Sequence, residues 1–209
     1  MPVGVPKVAA RIPGNEDASW VDLYNHLYRK RIVFLGDEIT KELGNTVVGI
    51  ITYLSIEDEI PDIFLFINSP GGGILPGIGI YDSVSNSPPD VNTICMGIAA
   101  SMACLILTGG AITKRIAFPN GRVLLHQPII ATPKLKVAMP KYLYMNEMLE
   151  IRNRIIFTYV QRTKQPKAII CLDIQRDVFM SAEDALAYGI IDSISLDESE
   201  GLLPFLPVS

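Results

Sequence analysis

Charged side chains are scarce in this chain, because Asp, Glu, Lys and Arg make up 19% of its 209 residues while hydrophobic residues make up 49%. This composition excludes a disordered protein and predicts one domain with a full hydrophobic core. A soluble monomer usually carries more surface charge, so we expect apolar surface to be hidden between the subunits of an oligomer. The net charge of −4 argues against a nucleic-acid-binding surface, which is normally basic.

Cysteine is also scarce. The three cysteines, Cys95, Cys104 and Cys171, all lie in apolar runs. An odd and sparse set of this kind predicts buried free thiols in a reducing compartment and argues against a disulfide framework.

The first seventeen residues contain three prolines and lack the apolar block of a secretory signal. They also lack the Ser-rich, Arg-rich pattern of a transit peptide. We therefore expect a protein that is made where it works or has already lost its targeting segment. Residues 91–113 carry no charge and are long enough to span a bilayer. Glycines interrupt this segment, so a buried strand, a turn and a buried helix are preferred to a membrane span, and we expect no membrane contact.

Apolar spacing predicts strands that alternate with helices. Strands are expected at residues 31–35, 63–67 and 91–96, and helices at 18–31, 39–54, from Pro76 onward, from Ser101 onward, 144–161 and 181–189. Strand–helix–strand order implies parallel neighbours, whose sites form at the carboxyl ends of the strands. Both the triple-glycine loop (Gly71 to Gly73) and Ser101 fall at such ends.

Ser101 has two open interpretations, since it is either a helix N-cap or a nucleophile at the positive end of a helix. The triple glycine is either a tight turn or a loop whose backbone N–H approaches a substrate carbonyl. In the second case Gly72 and Met102 would donate hydrogen bonds to the oxyanion of a tetrahedral intermediate. The sequence around Ser101 does not follow the Gly-x-Ser-x-Gly elbow pattern.

Only two histidines are present. His126 closes a hydrophobic run and is either a satisfied buried histidine or the base that activates Ser101. His26 lies away from the apolar stripe of its predicted helix, which favours an exposed surface residue. Asp177 is the best candidate for the group that orients His126, although a loop carboxylate paired with Arg176 is the alternative.

Taken together, these motifs resemble those of the Clp protease family, whose signatures around Ser101 and His126 are both complete here. The plastid-encoded type is the most similar, in residues 1–7, 17–22, 53–58, 159–163 and 176–182. The resemblance covers nearly the whole chain to about residue 195. It implies a catalytic triad of Ser101, His126 and Asp177, with Gly72 and Met102 as the oxyanion hole.

The resemblance also implies an α/β crotonase-like fold with a parallel-sheet head and a protruding helical handle. Residues 1–17 would form an N-terminal arm, 18–196 the protease domain with its handle at about 131–165, and 197–209 a tail. By this resemblance, seven subunits, mixed with other Clp proteolytic subunits, would form a ring, and two rings would stack into a tetradecamer. Arg176 would contact the opposite ring, and Phe64 and Phe66 would help to dock the unfoldase.

The implied activity is that of a serine endopeptidase in the chloroplast stroma that cleaves unfolded polypeptides. An AAA+ unfoldase such as ClpC would deliver the substrates and consume the ATP, so no cofactor or metal is expected in this chain. One alternative is a non-catalytic or weakly active structural subunit of a mixed ring, which would be expected to lack a triad member. Another is a crotonase-fold enzyme acting on acyl-CoA thioesters, which the His126 motif opposes.

Two departures from the family pattern stand out. Residues 129–146 contain no acidic side chain, three lysines, and Pro133 and Pro140. Because Pro140 would break the start of a helix placed there, we expect this segment to limit ring stacking. In addition, Asn86 stands where the family commonly has an aromatic residue in the unfoldase-docking cleft.

Overall fold

The computed structural model describes residues 4–10, 19–127 and 138–195, and the side chains of residues 138–141 are outside that description. Parallel strands make up most of a central sheet. The strands are β1 (Lys7–Ala10), β2 (Ser19–Asp22), β3 (Ile32–Leu35), β4 (Ile63–Ser69), β5 (Val91–Ala100), β6 (Arg115–Ala117), β7 (Arg122–Leu125), β8 (Val178–Met180) and β9 (Ser193–Ile194). The helices are α1 (Leu23–Arg29), α2 (Lys41–Glu57), α3 (Ile74–Ser85), α4 (Met102–Gly109), α5 (Ala138–Thr163), α6 (Lys167–Asp173) and α7 (Ala182–Tyr188).

The sheet runs in the order β3-β4-β5-β6-β9 with all neighbours parallel. Strand β5 has two partners on one side, because its first half pairs with β6 and its second half pairs with β7. Strand β8 returns antiparallel to β7. Because the second half of β5 pairs with β7, the carboxyl ends of these two strands lie side by side. The candidate site lies at these two strand ends.

The continuous apolar run of β4 forms a central strand because both faces of this strand are buried. Successive side chains of a strand point to opposite faces. Ile63, Leu65 and Ile67 enter the main core, whereas Phe64 and Phe66 enter a second, smaller core on the other face. All five are nearly inaccessible to solvent. The predicted strand at residues 63–67 is therefore confirmed, with two further residues at its end.

The helix predicted at residues 18–31 is wrong in its first half. Ser19–Asp22 is instead a strand that pairs antiparallel with β1, and the helix begins at Leu23. The N-cap is Asp22, whose carboxylate accepts hydrogen bonds from the backbone N–H groups of Tyr24 and Asn25. Pairing with a distant strand overrides the helical spacing of the segment, and it leaves Trp20 71% exposed.

The long helix α5 begins six residues earlier than the spacing predicts, at Ala138. The expectation that Pro140 would break a helix here is wrong, because Pro140 falls in the first turn, where its missing N–H would have had no partner. With 26 residues the helix is about 39 Å long. One face, which includes Met148, Ile155 and Tyr159, is buried, while Leu149 and Phe157 are exposed.

The last predicted helix is confirmed as α7. The Ser181 hydroxyl accepts a hydrogen bond from the Asp184 N–H, the Asp184 carboxylate accepts one from the Ser181 N–H, and Gly189 ends the helix at φ 90°. The predicted arm, tail and segment 129–146 extend outside the described residues, which leave out 1–3, 11–18, 128–137 and 196–209. The division into arm, protease domain and tail therefore stays a prediction.

Candidate active site

The fold brings the three predicted triad residues to one edge of the sheet. Ala100 pairs with Leu124 across the parallel strands β5 and β7, and the N–H of Ser101 donates a 3.0 Å hydrogen bond to the Leu124 carbonyl. His126 follows β7 directly. Asp177 directly precedes β8, whose first residue pairs with the last residue of β7. Adjacent strand ends thus carry all three side chains.

The imidazole of His126 faces the carboxylate of Asp177. The distance from His126 Nε2 to Asp177 Oδ1 is 3.6 Å, slightly beyond hydrogen-bonding distance. Arg176 does not pair with Asp177, because its guanidinium donates to Asp173 at 2.9 Å instead. The loop-carboxylate interpretation of Asp177 therefore loses its proposed partner.

The Ser101 hydroxyl takes no part in helix capping, although the residue stands at the N-cap position of α4. Its backbone has φ 54° and ψ −117°, a conformation that residues with a side chain rarely adopt. Ser101 is half-buried, and across the described residues no hydrogen bond links its hydroxyl to His126. The three triad residues lie at adjacent strand ends. Because Nε2 of His126 faces Asp177, the imidazole would have to turn before Nε2 could accept the Ser101 proton while Nδ1 contacts the carboxylate. Catalytic hydrogen bonds often tighten only when the substrate binds.

The glycine loop lies directly against Ser101. A methyl group added at Gly71 would stand 2.9 Å from Ser101 Cβ and 3.2 Å from the backbone nitrogen of Met102. A methyl group at Gly72 would stand only 2.6 Å from the carbonyl oxygen of Ile39, and φ is positive at both glycines. No other residue could bring the backbone of the loop this close.

Within the described residues, no hydrogen bond occupies the backbone N–H groups of Gly72 and Met102 at this edge. The bridge between Ile39 and Gly72 uses the carbonyl of Gly71 and the N–H of Gly73, so the N–H of Gly72 points away from Ile39. Met102 is the first residue of α4, and its N–H has no acceptor within the helix. The positive end of the helix adds to the attraction for a negative oxygen. This arrangement can stabilise a tetrahedral intermediate beside the Ser101 hydroxyl.

Cysteine chemistry is not supported at this edge of the sheet. Burial raises the pKa of Cys95 in β5 to about 11 and that of Cys104 in α4 to about 12. Both thiols therefore stay protonated at neutral pH, and a protonated thiol is a poor nucleophile.

Gln127 is a residue to which the sequence assigned no role. Its N–H donates to the carbonyl of Ile174 at 2.8 Å, and its side-chain oxygen accepts a 3.3 Å hydrogen bond from Arg152 of α5. These bonds tie the segment that carries His126 to α6 and α5. The only signal in the sequence is the position next to His126, since Arg152 lies 25 residues away within a regular helix.

The residues predicted to contact other proteins are Arg176, which directly precedes Asp177, and Phe64 and Phe66 of β4. Arg176 is exposed, with 73% of its side chain accessible. Phe64 and Phe66 are 5% and 4% exposed, and the Phe66 ring stacks on Phe34 at 5.3 Å. Asn86 instead lines a groove of about 410 Å³ between α2 and α3, on the main-core side of the sheet. A single chain therefore does not place Asn86 and the two phenylalanines in one cleft.

Membrane-spanning helices and metal-binding clusters are both missing from the described part of the chain. None of its helices is long and apolar enough to cross a membrane. Within the same residues, His, Cys, Asp and Glu side chains form no group of three or more suited to hold a metal ion.

Comparison with known proteins gives one consistent result. Residues 15–198 match the Clp protease family. The ATP-dependent Clp protease proteolytic subunit of Nicotiana tabacum is 52% identical over 197 residues, which cover 94% of this chain and 100% of that protein. The subunit of Helianthus annuus is 52% identical over 198 residues, with the same coverage. That of Acorus calamus is 53% identical over 201 residues, covering 96% of this chain and 98% of its own length.

Proposed function

The chain belongs to the Clp protease family, and we propose that Ser101, His126 and Asp177 carry out its serine-type peptide hydrolysis. The family and its named relatives identify a proteolytic subunit, and the parallel sheet with flanking helices is consistent with the crotonase-like fold of the family. The observation that supports the site most directly is the backbone of Ser101. Its strained conformation presents a hydroxyl with no capping role next to the glycine loop.

Each group has one task in the proposed reaction. His126 accepts the proton of the Ser101 hydroxyl as its oxygen attacks the peptide carbonyl, and the carboxylate of Asp177 stabilises the imidazolium that forms. The N–H groups of Gly72 and Met102 bind the oxyanion. The imidazolium then protonates the leaving amine, and a water molecule activated by the same imidazole hydrolyses the acyl ester.

The family implies an oligomer that works with an unfoldase. We propose heptameric rings, stacked in pairs and mixed with other Clp proteolytic subunits, in the chloroplast stroma. The unfoldase would be an AAA+ protein such as ClpC that consumes the ATP, so the chain itself would need no cofactor. The exposed guanidinium of Arg176 suits a ring-to-ring contact, and Phe64 and Phe66 would contribute to a docking cleft completed by a neighbouring subunit.

Labelling with a fluorophosphonate probe tests the proposed nucleophile. The protein, purified alone and together with partner subunits, should form a covalent adduct that peptide mass spectrometry places on Ser101. Ser101→Ala should assemble equally well and remain unlabelled. An adduct on another serine, or peptidase activity of Ser101→Ala within tenfold of the parent, would show that the nucleophile is misassigned. A structural subunit or an acyl-CoA enzyme without a serine nucleophile would not be labelled at all.

A further inference from the structure

Arg162, in the last turn of α5, binds the ends of two other helices. Its guanidinium donates a 2.9 Å hydrogen bond to the carbonyl of Gly109 and a longer one, at 3.4 Å, to that of Gly110. It also donates at 3.4 Å to the hydroxyl groups of Ser85 and Tyr81. Gly109 and Gly110 end α4, whereas Tyr81 and Ser85 form the last turn of α3. One guanidinium thus joins three helices.

The other ends of α3 and α4 lie at the proposed active site. Helix α3 begins at Ile74, two residues after Gly72. Helix α4 begins at Met102, directly after Ser101. The amino-terminal ends of α3 and α4 therefore lie next to the two proposed oxyanion donors, and their carboxyl-terminal ends lie at Arg162. A shift of either helix relative to the other would therefore change the spacing between those donors.

The two helices touch closely along their length because glycines face the partner helix. A methyl group added at Gly77 of α3 would stand 2.8 Å from Met102 Cε. A methyl group added at Gly109 of α4 would stand 2.9 Å from the Tyr81 ring. Packing this close transmits a shift at one end of the helix pair to the other end, because close-packed interiors are stiff.

A cation is also well placed where α4 ends. Carbonyl groups of the last turn lack partners within the helix and carry partial negative charge. The backbone of Arg162 is itself held, because its carbonyl accepts a 3.3 Å hydrogen bond from Arg115. Arg115 is buried and forms an ion pair with Asp192. The backbone that carries the Arg162 guanidinium is therefore held in place by the hydrogen bond from Arg115.

We propose that Arg162 is a positioning residue for peptide hydrolysis. It holds α3 and α4 in register and thereby keeps the N–H groups of Gly72 and Met102 at the spacing that the oxyanion requires. This inference rests on the proposed function, since it assigns those N–H groups to the oxyanion hole. Arg162 itself touches neither the substrate nor the reacting atoms.

The test compares Arg162→Gln with the parent in assembled protein, with rates expressed per active site titrated by the fluorophosphonate. Loss of a whole oxyanion donor costs about 10²–10³ in rate, so a displaced donor should lower kcat about tenfold and leave KM unchanged. A peptide boronate forms a tetrahedral adduct with the serine, and its affinity should fall by about the same factor. Arg162→Lys should recover part of both losses, because it keeps the charge but cannot reach all four acceptors.

Arg154→Gln is the matched control, since it makes the same substitution at an exposed position of α5. It should keep the parent's kcat and boronate affinity. If Arg162→Gln lowers only thermal stability, with kcat and boronate affinity per active site unchanged, the role is structural and the inference is overturned.

Milder variants cover the case in which Arg162→Gln fails to fold. Tyr81→Phe and Ser85→Ala each remove a single acceptor hydroxyl and should each lower kcat and boronate affinity about two- to threefold. Parent values for both variants would overturn the inference. Failure of the proposed function would be visible separately, because the parent itself would then remain unlabelled at Ser101.

Discussion

Replacing Ser101 by glycine and by alanine separates the strain of its backbone from its chemistry. At φ 54° and ψ −117° a residue with a Cβ is strained by about 1–3 kcal/mol, whereas glycine adopts this region freely. Glycine loses about 0.5–1 kcal/mol more backbone entropy on folding. Since the hydroxyl forms no capping hydrogen bond, alanine should be about as stable as the parent. Ser101→Gly should therefore exceed Ser101→Ala in stability by about 1 kcal/mol.

For a chain of this length, about 1 kcal/mol corresponds to a Tm difference of about 2–4 °C. Thermal unfolding of both variants, at equal protomer concentration and in the same assembly state, measures the difference. Both variants should also lose about 10⁶ in kcat, because each lacks the nucleophile. A mutation that raises stability while abolishing activity is the expected mark of strain held at an active site.

Thr113→Gly is a control for the backbone effect alone. Thr113 is exposed and also has a positive φ, of 72°, but lies away from the triad. This variant should gain stability and keep full peptidase activity. If Ser101→Gly unfolds at or below the temperature of Ser101→Ala while Thr113→Gly is stabilised, the reasoning about strain at Ser101 is refuted.

Four further outcomes are expected. Gly72→Ala should lower kcat at least about 10²-fold, because its methyl group would collide with Ile39, whereas Gly36→Ala should be neutral since its surroundings are open. His126→Ala should abolish peptide cleavage and His26→Ala should leave it near normal; the opposite result would identify His26 as the base. Burial opposes ionisation of Asp192, but hydrogen bonds and charge from Arg115 hold its pKa below the ordinary value. The ion pair therefore contributes its full stability above about pH 4, and this contribution is lost as pH falls through the lowered pKa of Asp192. Asp192→Asn should make the free energy of unfolding less dependent on acid and should lower it by about 3 kcal/mol at pH 7. Iodoacetamide at pH 8 should modify Cys171 before Cys95 or Cys104, and mass spectrometry of the native protein would detect any other order.

Much of the fold follows from local patterns in the sequence. The apolar run at residues 63–67, the capping box at Ser181 and the strand–helix alternation each correspond to an element of the structure. These patterns predict the elements correctly because the burial of a whole strand and the capping of a helix end are each encoded by a few consecutive residues. The edge of the sheet that carries Ser101 and the glycine loop could be predicted for the same reason, since parallel strands align their carboxyl ends.

Contacts between distant segments could not be predicted in this way. The strand at Ser19–Asp22 exists only because β1 pairs with it, and its spacing alone favours a helix. The strained φ of Ser101 depends on the glycine loop and on the bond to Leu124, neither of which is adjacent in sequence. The place of Asp177 before a capping box makes it a candidate for the third triad residue, and the resemblance to the Clp protease family supports the same assignment.

The proposed chemistry therefore depends on elements that lie far from the reacting atoms. His126 stands on a short segment that Gln127 ties to Ile174 and Arg152, while Asp177 precedes the edge strand β8. A displacement of α5 would disturb this segment through Arg152. The same displacement would disturb the ends of α3 and α4 through Arg162. Since one helix supports both the base and the oxyanion donors, loss of its packing should impair proton transfer and oxyanion binding together, even with every triad side chain intact.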